Sequence, residues 1–160
     1  MLYRYERNTK RKNIVLQPDY SNMSRRVAGF GYVDMRRGCS KTPQYKRWVG
    51  MLQRCYTTPV SQPTYSDCYV CDEWAYLSNF SSWMVEQNWK GKQLDKDLLG
   101  DTYKYSPENC CFISGELNNL IEPRGVLVDM SDAKREKVLR CLEQETDTRV
   151  MVASTERYNL

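Results

Sequence analysis

The first clear helical pattern follows Thr42-Pro43, where threonine can cap a helix and proline suits its first turn. Apolar side chains then recur every three to four residues, at Tyr45, Trp48, Met51 or Leu52, and Cys55. This spacing predicts an amphipathic helix over residues 43–56. Its cationic side chains fall largely off the apolar stripe, so one face should pack and the other should be basic.

A second helix is predicted from Asp72, which can act as its N-cap, to a position near Trp89, before Gly91. Its buried face would carry Trp74, Leu77, Phe80 or Ser81, and Trp83 or Met84. The three tryptophans of this segment are expected in the core, because the burial of such large rings stabilises a fold strongly.

The middle of the chain is predicted to form a strand, a loop, a second strand and a helix. The strands are expected over residues 93–99 and 110–113, with a turn at Gly100-Asp101. Ser114 can cap the helix, and Pro123 would stop it. The apolar side chains of this helix are Leu117, Leu120 and Ile121.

The remaining segments carry less pattern. A last helix is predicted over residues 131–145, with Val138, Cys141 and Leu142 inward. Residues 29–34 suit a short strand or a turn. Residues 1–28 are basic and irregular, and the tail after Thr146 supports no prediction.

Length and composition fit a small single α+β domain. Of 160 residues, 41% are hydrophobic and 12% aromatic, which is enough to close a modest core. We expect a basic irregular leader over residues 1–41, the core over residues 42–122, and a C-terminal helix with a tail over residues 123–160. Since no apolar run approaches the ~20 residues that span a bilayer and residues 1–7 lack a signal-peptide pattern, we expect a cytosolic protein without a membrane partner.

Seven cysteines are many for this length, and without an export signal they should remain thiols. Four of them would suffice in number for a structural zinc ion, namely Cys68, Cys71, Cys110 and Cys111. Adjacent strand residues point to opposite faces, so Cys110 and Cys111 are poorly placed to share one metal. Buried thiols are therefore favoured over zinc, and Cys110 is assigned to the core together with Trp74.

Charge is distributed asymmetrically along the chain. Residues 1–58 contain thirteen Lys or Arg and three acids, a net +10, whereas the remainder carries a net −6. Aromatic side chains are interleaved with the basic ones, at Tyr3, Tyr5, Phe30, Tyr32, Tyr45 and Trp48. Such a segment suits contact with the phosphate backbone of nucleic acid, and a solvated basic arm without a fixed partner is the alternative.

One constellation in the middle of the chain predicts metal chemistry. Asp95 on the first strand supplies a carboxylate, and Asn118 on the following helix can supply an amide oxygen. This order of elements and ligands is the ββα-metal arrangement, in which converging oxygen ligands suit a divalent ion such as Mg²⁺. The ion would stabilise charge on a scissile phosphate. The chain contains no histidine, the side chain that such sites most often use as a base.

An ordered series of short motifs joins this constellation to the first two helices. The motifs are Trp48-Val49-Gly50-Met51-Leu52-Gln53-Arg54-Cys55-Tyr56, Tyr69-Val70-Cys71-Asp72-Glu73-Trp74, Phe80 with Trp83-Met84, Leu94-Asp95-Lys96-Asp97, Tyr105-Ser106-Pro107-Glu108-Asn109-Cys110, and Asn118. Over about 70 of the 160 residues, the series resembles phage-encoded HNH endonuclease-like proteins, including the group often fused to AP2 DNA-binding domains.

The resemblance implies a role for individual residues. Asp95 matches the metal-ligand acid, Asn109 the asparagine that ties the loop, and Asn118 the helix residue near the metal. Lys96 stands at the position of the general-base histidine, so Asp95, Lys96 and Asn109 would be the catalytic residues of an active site. A lysine between Asp95 and Asp97 should stay charged, which makes it a poor base but a good phosphate contact.

Simpler roles remain open for the same residues. Asp95 and Asn109 can cap turns through hydrogen bonds to the local backbone. Asn118, or its neighbour Asn119, can be a surface residue of the helix. Lys96 can be an exposed strand lysine.

Three functions of different classes follow. The first is a phage DNA-binding protein in the host cytoplasm, on a degenerate HNH-like fold that is weakly or not catalytic. The second is an Mg²⁺-dependent HNH-type nicking endonuclease, and the third is a non-enzymatic phage protein that binds a host protein. The missing histidine favours the first over the second, because general-base catalysis contributes roughly 10²–10⁴ in rate. The basic segment favours it over the third, and contacts to double-stranded DNA are expected from Lys46, Arg47, Arg54, Lys92, Lys96 and Lys104.

Overall fold

The computed structural model describes residues 26–57, 67–100, 103–121 and 131–160. These residues divide into two compact units, separated between Glu86 and Gln87. Both units combine helices with short strands, which confirms the α+β class. In the described ranges, no helix is both long enough and apolar enough to cross a membrane. Most of the predicted basic leader, residues 1–25, lies outside the described residues.

The N-terminal unit is built around two helices. Its elements are a β-hairpin of β1 (Arg26–Val27) and β2 (Gly31–Tyr32), a 3-10 helix at Cys39–Lys41, α1 (Pro43–Tyr56), β3 (Tyr69–Val70), a 3-10 helix at Asp72–Ala75, and α2 (Leu77–Val85). The hairpin is antiparallel, and Ala28 and Gly29 turn the chain with positive φ angles of 53° and 73°. The strand or turn expected at residues 29–34 is therefore part of this hairpin.

Helix α1 has both of its predicted ends and the predicted cap. The Thr42 hydroxyl oxygen accepts a hydrogen bond from the Tyr45 N–H at 3.2 Å, and Pro43 is the first helical residue. Proline suits this position because its missing N–H would have no partner within the helix. The buried residues of α1 are Trp48, Met51 and Leu52, so the helix packs through one face as its apolar spacing predicts.

Trp48 fixes the position of α1. Its ring is fully buried, and its indole N–H donates to the backbone carbonyl of Trp74 at 2.7 Å. Gly31 of the hairpin lies directly against this ring: a Cβ added there would come within 2.5 Å of Trp48 and 2.4 Å of Leu52. The close approach therefore requires glycine at position 31, and it packs β2 against α1.

Helix α2 begins and ends differently from the prediction. Asp72 opens a 3-10 helix, whereas α2 starts at Leu77, ends at Val85 and has Tyr76 as an N-cap without a capping side chain. The cap comes from Asp34, 44 residues earlier: its carboxylate accepts the Ser78 N–H at 2.9 Å and the Ser78 hydroxyl at 2.5 Å. Asp34 is buried, and a negative charge at a helix N-terminus is favourable.

The three tryptophans expected in the core differ in burial. Trp74 is buried as predicted, with its ring centroid 5.0 Å from that of Phe80 and 4.7 Å from that of Trp83. Trp83 and Trp89 are half-buried. The aromatic cluster of the N-terminal unit thus centres on Trp74, with the rings of Phe80 and Trp83 against it.

The C-terminal unit places three helices on a small hairpin. Its elements are β4 (Gln93–Asp95), β5 (Lys104–Tyr105), β6 (Cys111–Ile113), α3 (Gly115–Leu120), α4 (Asp132–Leu142) and α5 (Thr148–Tyr158). Strands β4 and β6 pair antiparallel, with Asp95 opposite Cys111. The core of this unit consists of Leu98, Cys111, Ile113, Leu117, Ile121, Val138, Cys141, Leu142, Val150 and Tyr158.

The predicted elements of this unit are present, with two differences in length. The Ser114 hydroxyl caps α3 as predicted, and the Ser131 hydroxyl caps α4, whose start was predicted without a cap. Helix α4 ends at Leu142, and β4 spans three residues where seven were expected. Helix α5 was not predicted. Its signal was present in Asp147, which caps it, and in Val150, Ser154 and Tyr158, which recur every four residues and are buried.

The remote cap of α2 gives a stability prediction. Replacing Asp34 with alanine should lower the free energy of unfolding by about 2–4 kcal/mol, because it removes two buried hydrogen bonds and the cap together. Asp34→Asn keeps an acceptor for the Ser78 N–H and should cost less. Asp72→Ala, which removes an exposed acid of the same unit, serves as the control and should change stability by less than ~0.5 kcal/mol in urea unfolding. Equal losses for Asp34→Ala and Asp72→Ala would contradict the remote cap.

Candidate functional site

Residues 26–57 present a surface of one charge sign. The range contains seven cationic side chains, Arg26, Arg36, Arg37, Lys41, Lys46, Arg47 and Arg54, and a single acid, Asp34. Asp34 is 1% exposed and serves as the cap of α2. Every charged side chain of this range that reaches solvent is therefore positive, whereas the same unit also exposes four acids outside this range, Asp67, Asp72, Glu73 and Glu86. The cations of residues 26–57 favour contact with polyanions.

Helix α1 holds three of these cations on its solvent side. Lys46 is exposed, and Arg47 and Arg54 are half-buried. Arg47 and Arg54 are seven residues apart, so they lie on the same side of the helix and about 10.5 Å apart along its axis. Burial lowers the pKa of the Arg47 guanidinium, which still stays charged at neutral pH. Because the burial of Trp48 fixes the other side of α1, the positions of these cations on the helix surface are defined.

The aromatic side chains near this surface stack mainly on one another. Phe30 stacks on Tyr56 at 4.7 Å between ring centroids, and Tyr32 stacks on Tyr76 at 5.4 Å. The Arg26 guanidinium lies 5.1 Å from the centre of the Tyr32 ring, within cation–π distance. These rings thus fix the hairpin and the cation beside it, which gives the aromatics of the basic segment a structural role.

The exposed cations outside α1 were not singled out from the sequence. Arg26, Arg36, Arg37 and Lys41 lie on the hairpin and the segment before α1, and all four are exposed. The net charge of residues 1–58 was the signal that could have identified them. They extend the positive surface beyond the three helical positions that were predicted.

Asp95 ends the strand β4 and caps the turn that follows. It is 4% exposed, and its Oδ2 accepts hydrogen bonds from the N–H groups of Asp97 at 3.0 Å and Leu98 at 2.8 Å. This geometry matches the turn-capping role that the sequence left open. Burial raises the pKa of the Asp95 carboxyl to about 6, despite the two N–H groups, which lower it.

Lys96 is buried and paired. It is 5% exposed, and its ammonium lies 2.6 Å from the Asp97 carboxylate and 5.7 Å from the centre of the Tyr105 ring. It is therefore not the exposed strand lysine that was one of the alternatives.

The two asparagines hold local structure. The Asn109 side-chain amide donates to the Lys104 carbonyl at 3.3 Å, which ties the loop between β5 and β6 as expected for this position. The Asn118 amide donates to the Gln93 side chain at 2.7 Å and so ties α3 to β4. Gln93 and Asp95 point to the same face of β4 because they are two residues apart. Asn118 therefore contacts Gln93 at the start of β4, whereas Asp95 lies at the end of the same strand.

The residues predicted to hold a metal ion meet only part of what such an ion requires. Asp95 offers a carboxylate that already accepts two N–H groups, and the Asn118 amide is engaged with Gln93. Magnesium is usually held by one or two carboxylates together with several waters. Among the residues that the structure describes, no group of three or more His, Cys, Asp or Glu is arranged to hold a metal ion.

The predicted cationic contacts of the C-terminal unit are less accessible than those of α1. The Lys92 ammonium lies 2.5 Å from the Glu145 carboxylate, with side-chain exposures of 13% and 2%. Lys104 is half-buried in β5, and Lys96 is buried. All seven cysteines are thiols, and four of them are buried: Cys68, Cys110, Cys111 and Cys141.

No protein-family model matches the chain, and searches of curated proteins and of solved structures found no match.

The raised pKa of Asp95 predicts a specific pH dependence of stability. The folded state holds this proton more tightly than the unfolded chain does, so the Asp95 contribution weakens as the pH rises from about 4 to about 6. Asp95→Asn keeps an oxygen acceptor for the turn but does not ionise. Relative to wild type, the variant should gain up to about 3 kcal/mol of stability over this pH range, measured by urea unfolding. Contributions from other acids cancel in the difference, so a difference that does not vary with pH would contradict the prediction.

Proposed function

We propose that the protein binds double-stranded DNA through the positive surface of residues 26–57, and that its strand–strand–helix segment is an HNH-like unit with weak or no catalytic activity. The observation that carries the proposal is the single charge sign of this surface, whose one acid is withdrawn into the interior as a helix cap. Exposed cations gain affinity for the phosphate backbone because each contact releases a condensed counterion.

A rigid support favours nucleic acid over a solvated basic arm. The cations of α1 stand on a helix whose other side is fixed by Trp48, Met51 and Leu52. Preorganised cations lose less conformational freedom on binding than those on a flexible chain. The rise of α1 separates Arg47 and Arg54 enough for each to contact a different phosphate.

Weak or absent catalysis is supported by the burial of Lys96 and its contact with Asp97. This residue stands where HNH nucleases carry the general-base histidine, and its ammonium is buried against Asp97. The order β4, β6, α3 agrees with the ββα arrangement that the resemblance implies. A phage origin and a site of action in the host cytoplasm belong to the same proposal and rest on the resemblance.

The first test is the salt dependence of binding to a short DNA duplex. The logarithm of the association constant should fall steeply with the logarithm of salt concentration, and Lys46→Gln or Arg54→Gln should each reduce that slope by about 0.9. Lys137→Gln, which removes an exposed charge from α4, is the matched control and should leave the slope unchanged. Binding that is absent, insensitive to salt, or weakened equally by Lys137→Gln would refute the proposal.

An Mg²⁺-dependent nicking endonuclease is the second candidate, and Asp95 favours it. Buried carboxyls with raised pKa values concentrate at functional sites. Supercoiled plasmid incubated with Mg²⁺ or Mn²⁺ separates the two functions. We expect no nicking above the level of the Asp95→Ala variant. Nicking by wild type that Asp95→Ala abolishes would establish the endonuclease instead. A gain of cleavage in Lys96→His would show that the rest of the site is competent.

A further inference from the structure

Helix α1 contains a glycine that the packing of the described residues does not explain. A Cβ added at Gly50 would meet no described atom within 4 Å, whereas one added at Gly31 would collide with Trp48. Glycine inside a helix costs about 1 kcal/mol relative to alanine. Gly50 therefore carries a stability cost for which the packing within residues 26–57 and 67–86 gives no reason.

The neighbours of Gly50 on the helix surface are the cations of α1. Arg47 precedes it by three residues, Lys46 precedes it by four, and Arg54 follows it by four. Residues at these spacings are adjacent on a helix. Gly50 is two residues from Trp48 and so points away from the core. At Gly50, in the middle of the positive side of α1, the helix backbone thus has no side chain of its own to cover it.

We propose that Gly50 is the point at which α1 approaches the sugar–phosphate backbone of nucleic acid most closely, with Arg47 and Arg54 contacting phosphates on either side. This inference rests on the proposed function and identifies the part of the DNA that α1 contacts. Because Gly50 has no Cβ, the backbone of α1 can come closer to a phosphate. This closer approach brings the Arg47 and Arg54 side chains within reach of the phosphates on either side. A methyl group would hold the two backbones apart and weaken all three contacts together.

Gly50→Ala tests this inference because stability and binding should change in opposite directions. The variant should melt at a higher temperature, and it should bind two duplexes of unrelated sequence about tenfold more weakly than wild type does. Ser82→Ala, at an exposed position of α2, is the matched control. It should raise helix propensity in the same unit while leaving affinity unchanged.

A double-mutant cycle identifies the groups that act with Gly50. In an Arg47→Gln/Arg54→Gln background, Gly50→Ala should weaken binding less than threefold, since two of the three contacts it disturbs are already gone. Wild-type affinity of the Gly50→Ala single variant for both duplexes would overturn the inference, and so would a loss seen with one sequence alone. These outcomes differ from failure of the proposed function, in which wild type itself does not bind DNA.

Discussion

The buried ring of Trp48 is the interaction on which the N-terminal unit depends. It connects three separate parts of the chain, because its indole N–H is bound by the Trp74 carbonyl, its ring packs against Gly31, and its own helix carries it. A polar group in a fully buried ring needs such a partner, and the partner fixes the rotation of α1 about its axis. Once that rotation is set, Lys46, Arg47 and Arg54 face away from the core. The apolar packing of α1 thus determines where its positive charge is displayed.

Buried charged groups hold structure in both units. In the N-terminal unit, Asp34 is buried as a helix cap, whereas four acids outside residues 26–57 are exposed. In the C-terminal unit, Lys96 and Lys92 are held against Asp97 and Glu145, and Asp95 is withdrawn into a turn. These charged groups of residues 92–97 therefore make local contacts within their own unit. Nucleic-acid contact, as we propose it, rests on the other unit.

Sequence signals that act within one turn of a helix predicted much of this fold. Contacts between residues far apart in the chain could not be predicted from such signals. Thr42, Pro43, Ser114 and Ser131 mark helix starts correctly because a cap acts within one turn of its own helix. The start of α2 was misplaced because its cap, Asp34, lies far away in sequence and no local pattern reveals it. The same limit applies to the site. Spacing identified the cations of α1, but it could not show that Lys96 is buried or that Asp95 binds the backbone of its own turn.

The proposed DNA-binding surface of α1 and its neighbouring hairpin can be located by NMR, by following the backbone amides of the isotope-labelled full chain while a short duplex is added. The largest shifts should fall on residues 43–56, including the Gly50 amide, and on the hairpin residues 26–32. Shifts confined to residues 93–118, with α1 unchanged, would contradict the proposal.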